Sequence, residues 1–178
     1  MFFLTFYFRN GTIGRQTYLL GENNMVIMFC GHADFQKNER LEFELISVLD
    51  KCIEKESCEL IFGGYGNFDL FAFHCGLKLK QLNKKTKLTL VIPYVDAKHL
   101  PLSLKSQMGL YDEIVYPSQE NVPYRYAILM RNKWMVERAD FVIAFIDHGW
   151  GGAYKTYLYA KKKMKPILNL AEADSVFF

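Results

Sequence analysis

Short apolar runs alternate with longer amphipathic stretches along most of this sequence. The apolar runs have the length of strands and cover residues 25–30, 58–64, 87–95, 141–147 and 166–170. In the stretches between them, apolar residues recur every three or four positions, which is typical of helices that bury one face. These predicted helices cover residues 38–55, 67–82, 123–139 and 151–164. Because the strands are apolar throughout, we expect an α/β fold, a Rossmann-like doubly wound parallel sheet of about five strands with helices on both faces.

The remaining segments have weaker patterns. Residues 96–121 are predicted to be irregular, with a possible short strand at EIVY (113–116). Residues 1–24 begin with only eight residues before Arg9, too short a run to span a bilayer. We interpret them as an N-terminal extension: an extra edge strand, a partner-contact arm, or a stretch upstream of a natural start at Met25. Residues 25–171 then form a single domain, followed by a C-terminal tail, 172–178.

Composition narrows the class of protein. The chain has 178 residues, of which 51% are hydrophobic and 23% charged, an ordinary globular balance. Its net charge of +3 is low for a dedicated nucleic-acid binder, so a nucleic-acid partner is not expected. The four cysteines lie on or beside apolar runs and include no CxxC, which indicates reduced, buried thiols and a cytoplasmic location. We expect no membrane partner.

Two glycine-rich loops follow strands and open helices. In a doubly wound sheet, ligands bind beyond the carboxyl ends of the strands, where both loops fall. The first loop, GGYGNFD (63–69), can turn main-chain N–H groups toward a ligand, or it can be only a tight turn capped by Asn67. A carboxylate repels phosphate and accepts hydrogen bonds from hydroxyl groups. If the loop binds a nucleotide, we therefore expect Asp69 near the sugar.

The second loop, DHGWGGAYKT (147–156), has the chemistry of an anion site. No acid stands in the opening turns of its helix, and Lys155 and Thr156 follow the glycines. The helix dipole, the free amides and the lysine all favour a negative charge, so we place a phosphate here. The alternative is a glycine-rich turn with Trp150 packed beneath it.

The helix predicted over residues 123–139 carries polar groups beside an apolar stripe. Asn132 falls at the centre of that stripe, and Arg131 flanks it. A buried amide must find partners, so Asn132 either bonds a neighbouring loop or, with Arg131, reaches the ligand. His32 and His148 each follow a strand end and could act as acid or base. The histidines and cysteines lack the spacing of metal ligands, so no metal ion is predicted, and no cofactor either.

The ligand-binding residues predicted from these patterns are Gly31, His32, Gly63, Gly64, Tyr65, Gly66, Asn67, Asp69, Arg131, Asn132, Trp150, Gly151, Gly152, Lys155 and Thr156. The candidates for a catalytic role are Arg131, Asp69 and His148.

Several stretches resemble a known family. FCGH (29–32), GGYGNFD (63–69), the run from VPYRY to HGWGG (122–152) and KPILNL (165–170) are together similar to the SLOG superfamily of Rossmann-like proteins, above all its small stand-alone members. The resemblance spans about residues 25–171. It implies a pocket for a nucleotide-like ligand between the two glycine loops, because relatives include phosphoribohydrolases, a DNA-processing recombination mediator and sensors of NAD-derived or cyclic nucleotides.

One departure from the family shapes the functional expectation. Arg131 matches an arginine of the phosphoribohydrolases, but the glutamate that follows their GGxGT motif has no counterpart in GGAYKTYLYAKK (151–162). We therefore favour a binding module, a sensor or sequestering protein for a nucleotide, NAD-derived or cyclic nucleotide ligand. N-glycosidic hydrolysis of nucleoside monophosphates is the alternative, and binding of single-stranded nucleic acid is the third reading. Tyrosines in the last two predicted helices suggest a homodimer.

Overall fold

The computed structural model describes residues 2–10, 12–20, 25–53, 57–82, 85–117 and 123–172. The strands are β1 (Phe2–Asn10), β2 (Thr12–Leu20), β3 (Met25–Gly31), β4 (Cys58–Phe62), β5 (Thr86–Val91), β6 (Glu113–Val115), β7 (Phe141–Phe145) and β8 (Ile167–Asn169). The helices are α1 (Glu39–Ile53), α2 (Asn67–Leu82), α3 (Leu102–Gln107), α4 (Ala127–Arg138) and α5 (Gly151–Lys162), with 3₁₀ turns at Ala97–His99, Met108–Leu110 and Tyr124–Tyr126.

A parallel sheet forms the centre of the fold. Within the described ranges its strand order is β6-β5-β4-β3-β7-β8, and every pair is parallel. This arrangement confirms the predicted Rossmann-like α/β class, with six strands where about five were expected. After β3 the chain builds outward to one side, then returns and places β7 on the other side of β3. The crevice between β3 and β7 is therefore the switch point at which such sheets bind ligands.

Alternate residues of the strands face two separate layers of helices. In β3, Ile27 and Phe29 pack in a core with α1 and α2, whereas Met28 and Cys30 pack in a core with α4 and α5. This alternation is the period-two geometry of a strand. Because both faces are covered, the strands are mostly apolar, with exceptions such as Glu59 in β4 and Thr89 in β5.

Local boundaries differ from the sequence-based expectation where turns intervene. The third predicted strand, 87–95, ends at Val91, and the helix predicted from Pro123 begins with a 3₁₀ turn before α4. In the segment 96–121, β6 confirms the short strand expected at 113–116, whereas α3 lies where irregular structure was expected. Elements of six and three residues are too short to display a period, which explains why the pattern missed α3.

The N-terminal segment forms a sheet of its own. Strands β1 and β2 pair antiparallel, from Phe2 with Leu20 to Asn10 with Thr12, and are separate from the six-stranded sheet. The C-terminal tail predicted for 172–178 lies, beyond Glu172, outside the described residues. No helix in the described part of the chain combines the length and apolar character needed to cross a bilayer. All four cysteines are buried.

Phe62 provides a test of the core. Its side chain is fully buried, stacked on Phe29 at 4.9 Å between ring centroids and in edge contact with Phe73 at 5.6 Å. Phe62→Ala should lower the free energy of unfolding by about 3–5 kcal/mol, because it removes buried area and leaves a cavity. Urea unfolding measures this loss. Leu82→Ala, at a position 84% exposed, is the control and should change stability by less than about 0.5 kcal/mol. Equal effects of the two substitutions would contradict this description of the core.

Candidate functional site

A cavity lies at the carboxyl edge of the sheet, over the crevice between β3 and β7. Its volume is about 470 Å³. The loops after β3, β4 and β7 contribute its walls, together with α4 and the start of α5. The two glycine loops, far apart in sequence, thus line one space. Twelve of the predicted ligand-binding residues border it: Gly31, His32, Gly63, Tyr65, Gly66, Asp69, Arg131, Asn132, Trp150, Gly151, Gly152 and Thr156.

Both glycine loops contain a glycine whose backbone conformation other residues rarely adopt. Gly66 has φ +89°, and a Cβ atom there would lie 3.0 Å from Cα of Ala33. Gly151 has φ +92° and is the first residue of α5. The carbonyl oxygen of Gly66 accepts a hydrogen bond from the N–H of Leu70, so this glycine caps α2. The helix begins at Asn67, as predicted, but its N-cap is Gly66 rather than Asn67. The Asn67 side chain donates to the carbonyl oxygen of Phe35 rather than capping.

Asp69 shapes the first glycine loop from within. Its carboxylate accepts hydrogen bonds from the N–H groups of Gly63, at 2.9 Å, and Gly64, at 2.6 Å, and the residue is buried. The sequence placed this carboxylate near a sugar, but in the structure both oxygens are engaged with the main chain of the loop. Burial raises the pKa of Asp69 to about 6, although the two amides and the Arg131 charge act in the opposite direction.

Arg131 holds the same loop from the other side. It is 3% exposed, and its guanidinium donates to the carbonyl oxygens of Gly63 and, at 2.7 Å, Val91. The group also lies 5.3 Å from the ring centroid of Tyr65, within range of a cation–π interaction. Burial lowers the pKa of Arg131, and the nearby Asp69 charge opposes this. Arg131 therefore joins the ends of β4 and β5 beneath the cavity.

The buried polar residue of α4 is Arg131 rather than Asn132. The helical pattern placed Asn132 in the centre of the apolar stripe and Arg131 at its edge. In the structure Asn132 is only half-buried, and its side-chain amide donates to the Thr156 hydroxyl at 3.1 Å. The Thr156 hydroxyl in turn donates to the carbonyl oxygen of Gly152 at 3.0 Å. Asn132 thus links α4 to α5 along the cavity wall.

The start of α5 presents main-chain amides with no side-chain cap among the described residues. A Cβ atom at Gly151 or Gly152 would meet nothing within 4 Å. This open helix start keeps the properties that favour an anion. Lys155, however, is exposed and does not border the cavity, so it does not supply the expected charge. Gly64 and Asn67 also lie outside the cavity wall, behind the first loop.

Three aromatic rings stack along one wall of the cavity. The imidazoles of His32 and His148 lie 3.4 Å apart between centroids, and the Trp150 ring lies 4.0 Å beyond His148. The His32 ring nitrogen Nε2 lies 3.2 Å from the carbonyl oxygen of His148. His32 is buried, whereas Trp150 is 68% exposed. The two histidines predicted at separate strand ends are therefore in direct contact.

Sequence analysis missed two features of this edge. Asp34, which borders the cavity beside the histidines, carried no signal beyond its position shortly after a strand end. A second cavity of about 310 Å³ adjoins Arg131, and its lining includes Tyr94, Tyr124 and His99. The Tyr94 and Tyr124 rings stack at 4.3 Å between centroids. Of these three residues, only His99 comes from the segment 96–121, which has the weaker pattern.

Comparison with known proteins shows the fold. No family model and no curated protein matches this chain. Among solved structures, DNA processing protein A from Helicobacter pylori, described for its single-stranded DNA binding mode, has a TM-score of 0.59 and 17% identity, covering 84% of this chain and 68% of that chain. The same protein from Streptococcus pneumoniae has a TM-score of 0.55 and 12% identity, over 85% of this chain but only 54% of that chain. The Moco carrier protein of Chlamydomonas rheinhardtii has a TM-score of 0.48 and 13% identity, covering 84% of this chain and 77% of that chain.

Asp69 predicts a distinctive pH dependence of stability. Its pKa of about 6 in the folded protein exceeds the value of 3.8 for an ordinary aspartate. Between these two pKa values the folded protein keeps a proton on Asp69 that the unfolded chain has lost. The contribution of Asp69 to the free energy of unfolding therefore falls as the pH rises from about 4 to 6. Urea unfolding of the wild type and Asp69→Asn across this range isolates the effect. The wild type should lose stability relative to the variant as the pH rises; parallel curves would contradict the assignment.

Proposed function

We propose that this chain binds an anionic, nucleotide-like metabolite in the cavity between its two glycine loops, as a sensor or sequestering module. The observation that supports it most is the convergence of both loops on one space at the β3–β7 switch point. A volume of about 470 Å³ lies within the range of small-molecule sites. Nucleotides, NAD-derived molecules and cyclic nucleotides are the ligand classes proposed.

The chemistry of the walls supports different roles for the two loops. The open start of α5 offers amide donors and the positive end of a helix dipole, which suit a phosphate. The N–H groups of Gly63 and Gly64 are already satisfied by Asp69, so the first loop serves as a fixed wall. Tyr65 and Trp150 border the same space and present aromatic faces on which a base can stack.

We also infer that residues 25–171 form a ligand-binding domain of the SLOG type. The likeness to the two DNA processing proteins supports the Rossmann-like fold that this assignment requires. The motif stretches FCGH and GGYGNFD, which resemble that superfamily, both border the cavity. We also propose that the chain forms a homodimer. Tyr124, Tyr126 and Leu158 are exposed and offer a surface for subunit contact, whereas Tyr157 is buried in the core.

Binding is favoured over N-glycosidic hydrolysis because two of the catalytic candidates, Asp69 and Arg131, are hydrogen-bonded to the main chain. Hydrolysis needs a carboxylate that can stabilise or activate groups at the sugar. The Asp69 carboxylate instead accepts two loop amides, and Arg131 donates to two main-chain carbonyls. Release of free base from nucleoside monophosphates such as AMP would support the hydrolase, with Arg131 and His148 as the residues to examine.

Single-stranded nucleic acid is a second candidate ligand. The Helicobacter pylori neighbour is described as binding single-stranded DNA. In this chain Tyr116, Tyr124 and Tyr126 are exposed near the second cavity, and the Arg125 guanidinium lies over the Tyr126 ring at 4.8 Å. Exposed aromatic rings with basic side chains are the usual means of binding single strands without sequence preference.

Gly152 allows a direct test of the metabolite proposal. A side chain there projects into open space beside the cavity, so Gly152→Glu should fold normally while placing a negative charge at the helix start. Nucleotide affinity should fall by about tenfold or more. Thermal shift with AMP, ADP-ribose and cyclic dinucleotides identifies the ligand, and calorimetry then measures the affinity.

The matched control is Gly109→Glu. Gly109 is also exposed with nothing within 4 Å of an added Cβ atom, but it does not border the cavity. It should keep wild-type affinity. The same loss in both variants, or no stabilisation of the folded wild type by any compound, would refute the proposed site.

The nucleic-acid candidate makes a different prediction. If Tyr124 is a stacking platform, Tyr124→Ala should weaken binding of a single-stranded oligonucleotide by about 1–3 kcal/mol, and wild-type affinity should fall steeply with salt. Fluorescence anisotropy measures both effects. Gly152→Glu serves as the comparison, because Gly152 borders the first cavity and Tyr124 borders the second. Binding that is absent, or insensitive to Tyr124→Ala, counts against this candidate.

A further inference from the structure

We propose that His32, Asp34 and His148 form a site for a divalent transition-metal ion at the edge of the cavity. Each offers one ligand atom, and these atoms lie within 4.8 Å of one another. His32 and Asp34 come from the loop after β3, and His148 comes from the loop after β7. No spacing along the sequence reveals such a site, because its ligands meet only when β3 and β7 become neighbours.

The distances around this point are somewhat longer than those between the ligands of a bound ion. His148 Nε2 lies 3.8 Å from Asp34 Oδ1 and 3.8 Å from Asp147 Oδ1, and His32 Nε2 lies 3.6 Å from the same Asp147 oxygen. Ligands bound at about 2.1 Å in tetrahedral or octahedral geometry are separated by about 3.0–3.4 Å. The carbonyl oxygen of His148, 3.2 Å from His32 Nε2, is a further donor where an ion takes the place of the ring proton. The ligand atoms of His32, Asp34 and His148, now within 4.8 Å of one another, would reach these separations when their side chains turn toward one ion.

The unsatisfied groups also favour a cation. Both ring nitrogens of His148 are buried and have no hydrogen-bond partner in the described part of the chain. The carboxylates of Asp34 and Asp147 have no lysine or arginine within ion-pair distance among the described residues. The two buried nitrogens of His148 therefore lack a partner, and two carboxylates that form no ion pair with a described lysine or arginine lie beside them.

The donor set selects the kind of ion. Imidazole nitrogens with carboxylate oxygens suit Zn²⁺, Co²⁺ or Ni²⁺, whereas Mg²⁺ and Ca²⁺ prefer oxygen donors alone. The two imidazoles are stacked with an angle of 21° between their planes, so both must turn for their lone pairs to point at one ion. That movement changes the stacking of His148 on Trp150. Ion binding should therefore alter the fluorescence of Trp150.

The proposal is tested by calorimetric titration of the chelator-treated full chain with Zn²⁺ alone. One ion should bind per chain, and His148→Ala should abolish that binding. Asp34→Asn, a change at a side chain that is 71% exposed and safe for folding, should weaken it by about tenfold or more. His99→Ala is the matched control, because His99 also lies beside an aspartate, 3.9 Å from Asp96, but has no second histidine as a ligand partner there. It should bind as the wild type does.

Fluorescence locates the ion independently. Ni²⁺ should quench the emission of Trp134→Phe, which keeps Trp150, and leave that of Trp150→Phe almost unchanged. Absence of stoichiometric binding, equal binding by His148→Ala, or quenching that survives Trp150→Phe would overturn the proposal. No nucleotide is present in these titrations, so their outcome is independent of the proposed metabolite site.

Discussion

A buried guanidinium on α4 fixes the floor of the candidate site. Arg131 has lost almost all contact with solvent, and a buried charge is tolerated only where hydrogen bonds replace water. It finds two of them at the carbonyl oxygens of Gly63 and Val91, at the carboxyl ends of neighbouring strands. Asp69 binds the N–H groups of Gly63 and Gly64 in the same loop. The main chain of the first glycine loop is thus fixed through both its donors and its acceptors.

The two glycine loops consequently differ in the main-chain groups that they leave free for a ligand. At the first, the glycines let the chain pass close to other groups: a Cβ atom at Gly63 would lie 2.7 Å from the Arg131 guanidinium. At the second, the space beside Gly151 and Gly152 is open and the helix start is uncapped by described side chains. One wall is rigid before a ligand arrives and the other has unused amide donors. Such pre-organisation lowers the entropic cost of binding.

Features that depend on local sequence patterns could be predicted here, whereas features that depend on contacts between distant residues could not. The parallel α/β fold was predictable because the buried strands are mostly apolar and each long helix has an apolar stripe. The approach of the two glycine loops followed from the rule that ligand loops share one edge of a doubly wound sheet. The burial of Arg131 instead of Asn132 was not predictable, because neighbouring helix positions differ by about 100° and small rotations decide which one is inside. The role of Asp69 depends on a loop folding back onto it, and the stacking of His32 on His148 depends on strand order. Neither leaves a periodic signal.

Backbone amide chemical shifts of the labelled protein offer the most direct test of the central claim, that an anionic metabolite binds between the two glycine loops. On addition of AMP or ADP-ribose, the account predicts the largest changes at Gly151 and Gly152 at the start of α5, with smaller changes from Gly63 to Gly66. Changes confined to the Tyr94–His99 side of the sheet edge, or no changes at saturating concentrations of either compound, would contradict it.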